Sequence, residues 1–148
     1  MNNLKINEEH YRRLERMYQK VPINQFFQPR ATIGYGWAEL EMQIRPEFYH
    51  AAGAVHGSCY FKILDDTAFF AANSLVEDVF LLTLSFNLYF ERPVSEGKLV
   101  CKGEAVTSTR NFFVAESKLF DHEGNEIARG SGNFTRSRIK LSPEIGYK

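Results

Sequence analysis

The chain predicts an α+β fold in which an antiparallel sheet wraps around one long central helix, with an extra helix at the N-terminus. Three observations predict it. The stretch from His56 to Ser74 contains no proline, and from Ser58 onward its apolar residues occur on nearly every side of a helix, the pattern of a buried one. Beyond it, apolar residues recur mostly with a period of two between turn residues, as in strands. The turns between those later strands are short, which makes sequential neighbours antiparallel.

Each element follows in order. Asn7 is placed to cap a first helix, with Glu8 and Glu9 in the turn where the dipole favours acids. Tyr11, Leu14, Met17 and Tyr18 then recur at helical spacing, giving an amphipathic helix of about 12 residues. Pro22 and Pro29 bracket a segment, with Phe26 and Phe27 inside it, that reads as loop. From Trp37 onward Leu40, Met42 and Ile44 alternate with Glu39, Glu41, Gln43 and Arg45, a strand with one wet face. Pro46 ends it, and a loop runs from Glu47 to Val55. Gly57 serves the turn into the central helix, Gly57 to Ser74.

In the next strand Leu82, Leu84, Phe86, Leu88 and Phe90 form one face, and Leu81, Thr83, Ser85, Asn87 and Tyr89 the other. Pro93 stops it, and Ser95-Glu96-Gly97 turns the chain into a strand from Lys98 to Thr107. Thr109-Arg110-Asn111 leads to a strand from Phe112 to Phe120. Asp121 to Asn125 is a hairpin loop, and Glu126 to Arg136 the last strand. Gly130 and Gly132 inside it suit a sheet that bends closely around something. No repeat or linker interrupts the pattern, so residues 1–148 read as a single domain.

Composition excludes several functions. Eighteen basic and 18 acidic residues cancel, and without a basic tract nucleic acid has no electrostatic footprint. The start of the chain, Met1 to Lys5, has no apolar core of a signal peptide, and no stretch is long and apolar enough to span a membrane. The expectation is a soluble cytoplasmic protein. Cys59 and Cys101 stand 42 residues apart outside any Cys/His cluster, which argues against a disulfide scaffold or structural zinc. The four histidines are too scattered for a metal site. His10 and His122 fall in a helix and a hairpin that look exposed, and read as inert.

The helix carries one anomaly, two carboxylates in an apolar context, which is costly unless something uses or pairs them. Asp65 and Asp66 project about 100° apart and cannot act as one dyad. Lys62 sits four residues before Asp66, the spacing of a helical ion pair. That leaves Asp65 unpaired.

His56-Gly57-Ser58, followed by Asp65 nine positions after the histidine, resembles the signature of the hot-dog-fold acyl-CoA thioesterases. The type it is similar to is that of phenylacetate degradation, related to the 4-hydroxybenzoyl-CoA thioesterases. Asn73-Ser74 at the helix end and the Leu84 to Pro93 strand with its Arg-Pro turn agree, so the likeness runs from Trp37 to Arg136. It implies the hot-dog fold and hydrolysis of an acyl-CoA, or related acyl thioester, to acid and thiol. It implies no cofactor, and a homodimer or a dimer-of-dimers tetramer. Two positions depart. Ser58 stands at the family's second glycine, and His50 stands where the family often has an asparagine that holds the attacking water. Either His50 takes over that role or the loop is organised differently.

The resemblance implies roles for particular residues. Gly57 and Ser58 offer N–H groups at a helix start, where a developing oxyanion is stabilised. Asp65 acts as general base or as nucleophile. His56 orients the loop or touches the thioester, and Thr83 falls where the family strand places a Ser or Thr that orients water. Arg110 and Asn111, at a turn between late strands, are candidates for the coenzyme phosphates, as are Arg136 and Arg138. Tyr60-Phe61 and Phe69-Phe70 line an acyl tunnel or belong to the core. Two other readings are a non-catalytic acyl-thioester-binding protein and a hot-dog dehydratase.

Overall fold

In the computed structural model, which describes residues 7–148, helix α1 (Glu8–Lys20) starts where the Asn7 side chain accepts the His10 N–H at 3.2 Å. The reading made on Met1 to Lys5 lies outside the described residues. The buried face of α1 is His10, Tyr11, Leu14, Met17 and Tyr18, a stripe at the spacing that docks a surface helix. His10 corrects an expectation. It is 1% exposed, with Nδ1 at 2.7 Å from the Tyr147 hydroxyl and Nε2 at 3.0 Å from the Asn73 carbonyl. Burial pushes its pKa down.

The segment between the two prolines is also not a loop. It forms helix α2 (Pro22–Phe27) because Pro22 stands in its first turn, where a missing N–H costs nothing and a fixed φ favours the helix. Gln28 ends it in the left-handed conformation at φ 52°. Strand β1 (Arg30–Gly34) follows, absent from the sequence reading, and pairs with β2 (Trp37–Gln43).

The central helix α3 (Gly57–Asn73) is followed by β3 (Val79–Phe90), β4 (Lys98–Ser108), β5 (Phe112–Phe120) and β6 (Glu126–Lys140). All pairings are antiparallel, in the order β1-β2-β4-β5-β6-β3. This is the hot-dog arrangement, a sheet curled around α3. Leu40, Leu99, Cys101, Leu119 and Phe134 are fully buried on the sheet, as are Ile63 and Leu64 on the helix. Each such aliphatic or aromatic side chain contributes about 1.5–3 kcal/mol when buried.

Close approach depends on small residues. A Cβ on Gly103 would meet Thr67 Cγ2 at 2.9 Å, so β4 lies directly against the helix. On β6, Gly130 and Gly132 leave room for the Phe86 ring, which a Cβ would meet at 2.5 and 2.7 Å. At the helix end Asn73 donates to the Val76 and Val79 carbonyls and accepts the Leu81 N–H, which ties α3 to β3.

β3 departs from simple alternation. Thr83 pairs with Phe134 but Ser85 with Asn133, so Leu84 is an extra residue, a β-bulge. Leu81 and Thr83 face the helix before it, and Phe86 and Phe90 face the helix after it. The two faces expected from strict period-two counting are therefore exchanged at position 84.

The helix, too, is not enclosed on all sides. Ser58, Phe61, Lys62, Asp65 and Asp66 form a stripe that this chain leaves exposed or half-buried. Among the described residues no helix is long and apolar enough to cross a membrane.

Candidate active site

Asp65 projects from the open stripe of α3, about two turns into the helix. Its Oδ1 accepts the Thr83 hydroxyl at 3.0 Å, across the gap to β3. Burial pushes the carboxyl up from 3.8 to about 6, against the lowering effect of the Thr83 hydrogen bond, while the Asp66 charge adds to the rise. A carboxyl poised there changes protonation near neutral pH, as general bases do. Asp66 is differently placed. Its Oδ2 accepts from Lys62 Nζ at 2.6 Å and from the Tyr18 hydroxyl at 2.5 Å. Lys62 also lies over the Tyr18 and Phe27 rings. One carboxylate is consumed by structure; its neighbour is held by a single hydroxyl.

Asp65 and Thr83 border a mostly apolar cleft of about 470 Å³ between α3, the N-terminal helices and β3. Phe69, Phe70 and Leu81 line it, as do Tyr18 and Ile23. Tyr18 was recognised in the sequence only as part of an apolar stripe. The available signal was its phenol, since a buried tyrosine hydroxyl needs a partner.

At the other end of the stripe, His56 caps α3. Its Nδ1 accepts the Ser58 N–H at 3.0 Å and lies 2.7 Å from Ser58 Oγ. An Nδ1 that accepts puts the proton of the neutral ring on Nε2, and His56 is exposed. The Ser58 N–H is thus already occupied, contrary to the expectation that both helix-start amides are free. The Gly57 N–H has no partner among the described residues. The Phe90 ring packs on Gly57, where an added Cβ would stand 3.1 Å from it.

A second cleft, of about 360 Å³, joins Gly57 with His50, Tyr60, Phe90 and Arg92. His50 Nδ1 accepts the Ala52 N–H at 3.1 Å, and its backbone bonds to Ala54 and Gly53 hold the loop as a tight turn. The structure therefore brings His50 to Gly57 and Thr83 to Asp65, in two separate clefts. Arg110 and Asn111 are exposed in the β4–β5 turn and line neither cleft. Arg136 is engaged by Asp78. Among the described residues no group of three or more His, Cys, Asp or Glu could hold a metal ion.

Comparison with known proteins bears on this geometry. A candidate esterase of Saccharolobus solfataricus is 20% identical over 138 residues, 93% of this chain and 95% of its own length. The PaaI protein of E. coli, from the phenylacetic acid degradation operon, superposes with a TM-score of 0.82 at 15% identity, covering 90% of this chain and 97% of that one. A thioesterase family protein from Silicibacter pomeroyi gives 0.78 at 24% identity, covering 85% and 96%. The thioesterase HI1161 of Haemophilus influenzae gives 0.74 at 16%, covering 81% and 85%. These solved structures share the fold. The sequence profile described as the thioesterase superfamily matches residues 52–128, just over half of the 148 and spanning His56, Gly57, Asp65 and Thr83. With that match, and with a hot-dog sheet curled around the helix that carries the motif, the chain belongs to the thioesterase superfamily.

Proposed function

We propose that this protein hydrolyses an acyl-CoA thioester to the free acid and coenzyme A, with Asp65 as the essential carboxylate. The observation that carries this reading is the Asp65 carboxyl itself, pushed up to about 6 and held by Thr83 beside an apolar cleft. As a base, ionised Asp65 takes a proton from water while the water oxygen bonds to the carbonyl carbon. The resulting oxyanion is held by the Gly57 N–H and the positive end of α3. When the C–S bond breaks, the Asp65 carboxylic acid returns its proton to the departing thiolate. Direct attack by the carboxylate on the carbonyl is the alternative order of events.

Gly57 and Asp65 lie eight residues apart, which is about 12 Å along a helix. One thioester carbonyl cannot touch both within a protomer. We therefore place each site between two copies, with Gly57 of one protomer facing the partner subunit's Asp65. The free edge of β3 and its exposed Leu84, Tyr89 and Phe90 support that assembly, because an uncovered apolar edge invites pairing. A homodimer holds two such sites, and a tetramer pairs two dimers.

His56 sets the geometry of the oxyanion donor by capping Ser58. His50, whose Nε2 is left free by the bond from Ala52, is placed to hold water on the Gly57 side. Arg110 and Asn111 are exposed and suited to the phosphates of coenzyme A. The two free cysteines support a cytoplasmic setting. The test is thiol release over a panel of acyl-CoA substrates. Turnover abolished in Asp65→Asn supports the reading; tight acyl-CoA binding with no thiol released from any of them replaces it with a non-catalytic binding protein.

A further inference from the structure

We propose that Asp66, Tyr18 and Phe27 form a clamp that holds the Lys62 ammonium off Asp65, so that the reacting carboxylate keeps the Thr83 hydroxyl as its partner. This rests on the thioester reading above and makes Lys62 and Asp66 positioning residues for its base. Lys62 stands three residues before Asp65 and four before Asp66, and both steps bring side chains within reach on a helix. Spacing alone leaves the lysine a choice of two acids. The N-terminal helices make that choice. Tyr18 of α1 donates its hydroxyl to the same Asp66 oxygen that Lys62 holds at 2.6 Å. The Tyr18 ring and that of Phe27 from α2 lie 5.4 and 5.2 Å from the ammonium, near enough for each π face to attract it. Lys62 is only 12% exposed, and a charge so enclosed stays with its counter-ion.

The two charges nearest Asp65 act on it unequally. Asp66 raises its pKa more than Lys62 lowers it, as expected of an ammonium turned toward the other acid. A lysine released onto Asp65 would lower its proton affinity by about 1–3 pH units and weaken it as a base near neutrality. Other ionisable groups also face Asp65. The Tyr18 phenol does so from α1, while β3 presents the neutral Thr83. Across the two-copy site come His50, His56, Tyr60, Glu91 and Arg92 of the partner subunit, which border Gly57. All of these are the same in each variant below, so they move every titration alike and cancel from the differences.

NMR titration of the Asp65 carboxyl carbon in the whole chain tests this in the parent, Lys62→Met, Asp66→Asn and the double variant. The pH profile of kcat/KM is measured alongside. Lys62→Met keeps an alkyl stem between the two rings and should raise the Asp65 titration from about 6 by less than about 1 pH unit. Asp66→Asn removes the anion of the clamp. It should lower the titration by about 1 pH unit more in the parent background than in the Lys62→Met background. The acidic limb of kcat/KM should follow the same differences. A rise of about 1 pH unit or more in Lys62→Met shows a lysine already serving Asp65, and overturns the clamp even if Asp66→Asn fails to fold. Equal effects of Asp66→Asn in the two backgrounds overturn it as well, and leave hydrolysis standing. Titrations that move as expected in proteins that release thiol from no acyl-CoA overturn hydrolysis and leave the clamp standing.

Discussion

Asp65→Asn should inactivate the protein and make it more stable. The side chain keeps its size, and Thr83 can donate to the amide oxygen as it does to the carboxylate. What disappears is a charge that the fold holds at a cost. Raising a carboxyl from 3.8 to about 6 corresponds to roughly 3 kcal/mol against the ionised form at neutral pH. Asp65 is only half-buried, and screening by the remaining water reduces this to about 1–2 kcal/mol. For a chain of this length the melting temperature should rise by about 2–6 °C. Loss of a general base should lower kcat by about 100-fold or more. Asp66→Asn should do the reverse. It leaves the Lys62 ammonium, 12% exposed, without its counter-ion, and should cost about 1–2 kcal/mol with kcat near that of the parent. Kinetics with one good acyl-CoA and a thermal melt on both variants decide it. An active Asp65→Asn with a dead Asp66→Asn would move the chemistry to the other carboxylate. An Asp65→Asn that melts below the parent would refute the burial argument.

Because the base must be ionised, kcat/KM should fall as pH drops through about 6, and a pH–rate profile checks this. The stability of the parent runs the other way. The raised carboxyl contributes stability that is full below 3.8 and lost as pH rises through about 6, so melts between pH 4 and 7 should show this component only while Asp65 is present. Gly130→Ala places a methyl where the Phe86 ring lies 2.5 Å away and should cost about 1–3 kcal/mol, read by denaturant titration. Sedimentation should give a particle at least twice the 17.1 kDa of the chain; a monomer at micromolar concentration would leave the two halves of the site apart.

The central helix was legible because its signals are local: no breaker, a glycine at its start, and Asn73-Ser74 at its end. The ion pair of Lys62 and Asp66 was legible for the same reason, being one helical turn long. β1 was not, since Arg30–Gly34 is short, lies at the sheet edge and buries only Ile33 and Gly34. Its pairing is specified by β2 rather than by its own alternation. α2 was hidden by reading Pro22 as a breaker when it occupies the first turn. At the site, the nine-residue interval from His56 to Asp65 pointed to the start and the middle of α3. The capture of the Ser58 N–H by His56 depends on a rotamer, and the Tyr18 bond to Asp66 joins residues 48 apart. Neither has a period to be counted.

The bulge at Leu84 gives β3 an unusual tolerance. Thr83 and Phe86 both face α3 although they stand three positions apart, an odd step that strict alternation would place on opposite faces. Removing Leu84 would join Thr83 directly to Ser85 and leave Phe86 opposite Gly132, the partner it already has. Removing a residue between Phe86 and Phe90 would instead turn the following side chains over and carry Phe90 away from Gly57 and α3. In a deletion scan of this strand, position 84 is the place where the chain can be shortened and still read in frame.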